Sequence, residues 1–117
     1  MQEAILTKIA GAWIAGLQAE ENTPEYESHW WAIDEPELLW RFILNVYKRD
    51  VPDKVSAVLA AGPLEDLLSY FGADYIDRVE KLAAEDQRFN WLLGGVHRLE
   101  MTDAVWSRVQ AVRLEVW

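Results

Sequence analysis

Cysteine is absent from the 117 residues, which removes disulfides, thiolate metal sites and cysteine nucleophiles together. The absence is compatible with an oxidising or a reducing compartment. Histidine is nearly absent too: His29 and His97 are the only imidazoles, and neither Glu-x-x-His nor His-x-x-x-His occurs. Glu25 and His29 stand four apart and can meet on one helix face, but two groups without further ligands do not make a metal site. Both histidines read as structural, and no metal or cofactor is expected. No apolar run approaches 18 residues, so no membrane span is expected. The opening Met1-Gln2-Glu3 lacks a basic stretch followed by an apolar core, which argues against secretion and predicts a cytoplasmic protein. Gly94-Gly95 lacks the G-x-G-x-x-G spacing and a preceding strand, so a nucleotide fold is excluded.

Basic residues are also in short supply. Eleven face twenty acids, for a net charge of −9. Residues 1–36 carry one base, Lys8, against seven acids; residues 37–117 carry ten bases against thirteen. Such a surface repels phosphate backbones, so nucleic acid is not an expected partner. It suits a basic protein partner, or it serves solubility alone.

What the chain does have is tryptophan: Trp13, Trp30, Trp31, Trp40, Trp91, Trp106 and Trp117. Indoles are seldom fully buried and need a partner for the N–H. A short domain cannot easily hide seven, so some are expected at the rim of the core or in a contact surface.

Helical periodicity runs throughout, and no stretch alternates long enough to make a strand. The expected fold is all-α, one compact domain over residues 1–117 with about six or seven helices. Residues 2–18 place Ile5, Ile9 and Trp13 on one stripe, with Leu6, Ile14 and Leu17 beside it. Thr23-Pro24-Glu25 signals a short helix to about residue 31 or 33. Asp34 is the expected cap of the next, with Glu37 reaching back to it. That helix, 37–49, has an apolar face of Leu38, Leu39, Phe42, Ile43, Val46 and Tyr47; Arg41, Asn45, Lys48 and Arg49 fall opposite. A helix from Asp53 meets Ala61-Gly62-Pro63, where it kinks or ends, and a restart is expected to stop at Gly72. Asp74 is then the expected cap of 75–86, and Thr102 of a last helix carrying Val105, Trp106, Val109 and Val112. The pairs 37–49 with 53–60, 63–71 with 75–86, and 88–96 with 103–114 are candidates for stacking, without a fixed period.

The strings LAAGPLEDLL from Leu59, IDRVEKLAAED, RFNWLLGGV and VWSRVQAVR, together with LLWRFILNVY, resemble an uncharacterised family of small, soluble bacterial helical proteins known as a domain of unknown function. The resemblance covers roughly residues 37–114 and is most specific at Ala60–Leu68. His97 departs from it, since an aromatic is more usual after LLGGV. The resemblance implies an independently folded helical protein and supplies no activity, cofactor or catalytic residue. In size and charge the chain is also similar to the immunity proteins that block bacterial toxins.

Two places carry the candidate contacts. Glu65 and Asp66 follow Gly62-Pro63-Leu64; they present carboxylates to a basic ligand or simply offset a helix dipole. Trp30 and Trp31 lie among Glu25, Glu27, Asp34 and Glu35, and adjacent helical residues point roughly 100° apart. Both rings therefore cannot occupy one narrow stripe, so the pair is either a hot spot for a basic partner or a helix seam. Trp117 is either a docked tail or a dimer contact. The expected function is a non-enzymatic protein-binding module, of immunity or inhibitor type, that blocks a basic protein. The alternatives are a small enzyme with a carboxylate acid/base in an aromatic pocket and a homodimeric structural protein.

Overall fold

The computed structural model describes residues 3–18 and 35–117. The expected helix before Ile33 and the Asp34 cap lie outside these residues. Helices α1 (Glu3–Gln18), α2 (Pro36–Tyr47) and α3 (Asp53–Leu59) are followed by a π-helical turn, Ala60–Leu64. Helices α4 (Glu65–Glu85), α5 (Gln87–Leu93) and α6 (Asp103–Val112) complete the order. All the regular structure among the described residues is helical, and no helix there is long and apolar enough to cross a membrane.

The count of helices among the described residues is lower than expected, because Asp53 to Glu85 forms one helical rod through a π turn and across a kink at Phe71. With that rod counted once, the described residues hold five helical runs. Pro63 lies inside the π turn instead of opening a new helix. Proline has no N–H to give and crowds the carbonyl four residues back; the wider i→i+5 turn absorbs the residue without ending the rod. The backbone N–H of Glu65 accordingly donates to the Ala60 carbonyl. Gly72 follows directly on a kink at Phe71, so the expected stop is present as a bend between two helical stretches. It is buried under Val105, whose Cγ methyls lie 2.9 Å from where a Cβ would be. The glycine marks the bend and also permits close helix packing. The backbone leaves helical geometry at Phe71 (φ −133°, ψ 23°) and resumes beyond it, and Asp74 makes no cap hydrogen bond among the described residues. Segments 63–71 and 75–86 are thus the two stretches on either side of this kink.

Helix α1 is rotated from its expected seat. Leu6, Ala10, Trp13 and Ile14 are buried, whereas Ile5 is 48% exposed. The rotation follows from polar pairing with α2: Glu3 meets Arg41 at 2.7 Å and Thr7 accepts from Asn45 at 3.2 Å. Turning Ile5 inward would break both.

In α2, Pro36 occupies the first turn and Glu35 the cap position, with no side-chain cap bond. Glu37 reaches across to Arg78 and the Tyr75 hydroxyl and makes no capping box. Its buried face is the expected one with Trp40 added and Leu38 only half-buried. Trp40 turns inward because Phe89 of α5 meets it edge-on at 5.9 Å. Tyr47 meets the same Phe89 at 5.2 Å, and Trp13 meets Phe42 at 5.3 Å. Such edge-to-face pairs contribute about 0.5–1.5 kcal/mol each beyond the area they bury.

Two polar residues tie the elements. Asp86 caps α5 by accepting from the N–H groups of Arg88 and Phe89, and it also accepts from the Tyr47 hydroxyl at 3.0 Å. Buried Asn90 donates to the carbonyls of Ala83 and Val112 and accepts from Leu114 N–H at 2.9 Å. It thereby joins the end of α4, the end of α6 and the chain beyond. Thr102 caps α6 as its position predicts, accepting from Val105 N–H.

Candidate functional site

Beyond α6 the chain leaves the helix in extended form at Arg113 (φ −72°, ψ 141°) and runs back over the end of α5. Four hydrogen bonds and two ring contacts hold it. Arg113 donates to the Val96 carbonyl at 3.0 Å with its guanidinium 4.9 Å over Trp106. Leu114 N–H donates to Asn90. Trp117 donates twice, from its backbone to the Gly94 carbonyl at 2.9 Å and from its indole to the Trp91 carbonyl at 2.7 Å. Its ring lies parallel on Trp91, with centroids 4.5 Å apart and planes 19° apart.

Gly94 and Gly95 make this seat possible. A Cβ on Gly94 would come within 2.5 Å of the Glu115 carbonyl, and one on Gly95 within 2.5 Å of the Trp117 ring. The glycines end α5 in a tight turn and also form the floor under an indole, a role that only the folded chain reveals. The LLGGV string was visible in the sequence; its partner 22 residues on was not. Above this floor stands a row of apolar side chains, Leu114 at 85% exposure, Val116 at 61% and Trp117 at 38%. Of the two readings of Trp117, the structure places it as a docked tail that still presents a ring edge.

The loop between α5 and α6 is pinned to the rod one helical turn apart. Glu65 accepts from the His97 N–H at 3.2 Å and Ser69 from the Glu100 N–H at 3.2 Å. Glu65 is 7% exposed, and burial pushes its carboxyl above the ordinary value, opposed in part by the His97 N–H. It is thus turned into the structure, not presented to a ligand. Dipole compensation does not explain it either, since the rod continues through the π turn and its N–H is already bonded. Asp66 is half-buried beside it. His97 is exposed and holds Glu65 through its backbone. Glu35 is exposed at the head of α2. Glu25, Glu27, His29, Trp30, Trp31 and Asp34 lie outside the described residues, as does any grouping of them with Glu65 and Asp66.

The other described indoles divide by depth. Trp13 and Trp40 are buried, while Trp91 and Trp106 are half-buried under Trp117 and Arg113. No group of three or more potential metal ligands occurs among the described residues.

These features define an all-α protein built on one long kinked rod, with a tryptophan-seated extended segment carrying exposed apolar side chains. The chain belongs to the family of unknown function DUF6869, whose model matches residues 19–116. No curated protein and no solved structure matches it.

Proposed function

We propose that this protein is a non-enzymatic binding module for a basic protein partner, of the immunity or inhibitor type that covers a surface of its target. The observation that carries the reading is the exposure of Leu114 and Val116 on a segment whose Trp117 is fixed on the Gly94-Gly95 floor and whose Leu114 N–H is bonded to Asn90. Apolar and aromatic anchors that are already ordered lose little freedom on binding, and such anchors carry most of the energy of an interface. The charge of −9 favours a basic target and speeds its approach. Trp30 and Trp31 with Glu25, Glu27, Asp34 and Glu35 supply the acidic and aromatic contacts of this reading, and Asp66 a further carboxylate. Glu65 acts indirectly by holding the loop that follows the floor.

The test is affinity capture from the native lysate with three baits: the wild-type chain, a Leu114→Ser/Val116→Ser variant, and a Trp30→Ala/Trp31→Ala variant. The expected result is a basic protein retained by the wild type, released by salt, and bound about tenfold or more weakly by the variants. Because Leu114 and Val116 are the most exposed of the large apolar side chains among the described residues, their replacement is expected to leave the melting temperature nearly unchanged. Equal capture by all three baits would overturn the reading. The same apolar row also favours self-association; a mass of twice 13.5 kDa in light scattering, lost in the Leu114→Ser/Val116→Ser variant, would make it a homodimer contact instead.

A further inference from the structure

In an acidic chain, three of the eleven bases line a single groove. Arg41, Leu44, Asn45 and Lys48 follow one another along α2 at i, i+3, i+4 and i+7, with Arg49 beside them; Glu3 and Thr7 of α1 form the opposite wall. The groove opens to solvent and has a volume of about 430 Å³, in the range of small-molecule sites. From the sequence this stripe is simply the polar side of α2, yet the seat of α1 turns it into a concave surface.

We infer that this groove binds a small oxyanion, a carboxylate or phosphate group on a compact ligand, through Lys48 and Arg49. The guanidinium of Arg49 is held in place before any ligand arrives. Its Nε and one terminal nitrogen donate to the Asn45 side-chain oxygen at 3.1 and 2.7 Å, and that terminal nitrogen also donates to the Thr7 carbonyl at 2.9 Å. Asn45 is itself fixed by its bond to the Thr7 hydroxyl. Every one of these acceptors is neutral, so among the described residues the charge of Arg49 meets no carboxylate in an ion pair. Its other terminal nitrogen, Nη1, makes none of the hydrogen bonds described. It packs against α1 at Gly11, where an added Cβ would stand 3.4 Å away. Lys48, exposed on the same wall, adds a second cation with no ion pair among the described residues.

A second observation shows that the groove accepts a carboxylate. Glu3 lies within it, 2.7 Å from Arg41, and Arg41 holds its carboxyl below the ordinary value, with Lys48 adding to the effect. Glu3 thus does within the chain what the ligand does at Arg49 and Lys48, and it competes with the ligand for the positive field. The chain's negative charge repels extended polyanions from the same place. The Lys48 ammonium, with the unpaired charge of Arg49 behind it, suits planar carboxylates and tetrahedral phosphates alike.

The experiment is an NMR titration of the full chain with inorganic phosphate and, separately, citrate, at constant ionic strength against a chloride control. Saturable shifts are expected at the amides of Thr7, Lys48 and Arg49. Lys48→Ala should weaken binding by about fivefold, and Glu3→Gln should tighten it by about threefold by removing the internal competitor. Saturation by phosphate alone assigns a phosphate ligand, and saturation by citrate alone a carboxylate; either supports the site. Shifts that track chloride, or a Lys48→Ala variant that binds as the wild type does, overturn it. Lys48 is exposed, and an unchanged melting temperature confirms that its replacement reports on binding and not on folding.

Discussion

Glu65 illustrates how one residue's environment sets its chemistry. Its oxygen satisfies the His97 N–H, so the site needs an acceptor there; nothing in that contact needs a charge. Burial disfavours the ionised form and lifts the carboxyl above its usual 4.5. Between that value and the raised one the folded chain binds more protons than the unfolded chain. The contribution of Glu65 is therefore fully present below about 4.5 and lost as pH rises through the folded value. Glu65→Gln keeps the acceptor and removes the charge. The variant should melt a few degrees higher than the wild type at neutral pH, with the gap closing in acid, as thermal scans across pH will read. Asn90 shows the complementary case of a buried amide whose carbonyl and amino group are both used, joining three stretches of chain. No helical period announces such a residue, because its partners lie 7, 22 and 24 positions away.

At the scale of elements, the rod from Asp53 to Glu85 depends on how two breakers are used. Pro63 is absorbed by widening the ladder, and Gly72 by letting α6 approach. Alanine at position 72 would gain about 1 kcal/mol of helix propensity over glycine, but it places a Cβ 2.9 Å from both Val105 methyls. Valine is short and branched, with no flexible end to swing aside. Overpacking of this kind costs about 1–3 kcal/mol, so Gly72→Ala should destabilise. In a Val105→Ala background the same change should stabilise, and a double-mutant cycle by urea denaturation measures the reversal. Tyr47 links two other elements. Burial, with the hydrogen bond to Asp86 second, pushes its hydroxyl up to about 12, so it stays protonated and able to donate across the physiological range.

Across the whole molecule, most of the ion pairs among the described residues are placed between elements; Arg98–Asp103 is a local pair beside the start of α6. Arg41–Glu3 joins α1 to α2, Arg78–Glu37 joins α4 to α2, and Arg108 of α6 holds Asp77 and Glu80 of α4. The hydrogen bonds from Arg41, Arg78 and Arg108 hold the carboxyls of Glu3, Glu37 and Glu80 below their ordinary value. Their contribution is thus present above about pH 4.5 and lost as pH falls through the depressed values. Stability measured by urea denaturation should decline below about pH 4. Each pair is solvent-exposed, so the decline should be shallow at high salt.

The apolar period alone determined that this chain is helical: most inward positions of α2, α4 and α6 are the ones the 3.6-residue repeat selects, and Thr102 caps where a cap was legible. Local chemistry suffices for these because a helix and its apolar face are set within a few residues. The tertiary structure decided what local signals leave open. It turned α1 away from Ile5 through Glu3 and Thr7, ran the rod through Pro63 and Gly72, drew Trp40 inward to Phe89 and made Gly94-Gly95 a floor for Trp117. Pro63 apart, which a local π turn absorbs, the deciding partner is a side chain distant in sequence, and steric fit or hydrogen bonding with it outweighs the small preference, of about 1 kcal/mol, that a single residue expresses on its own.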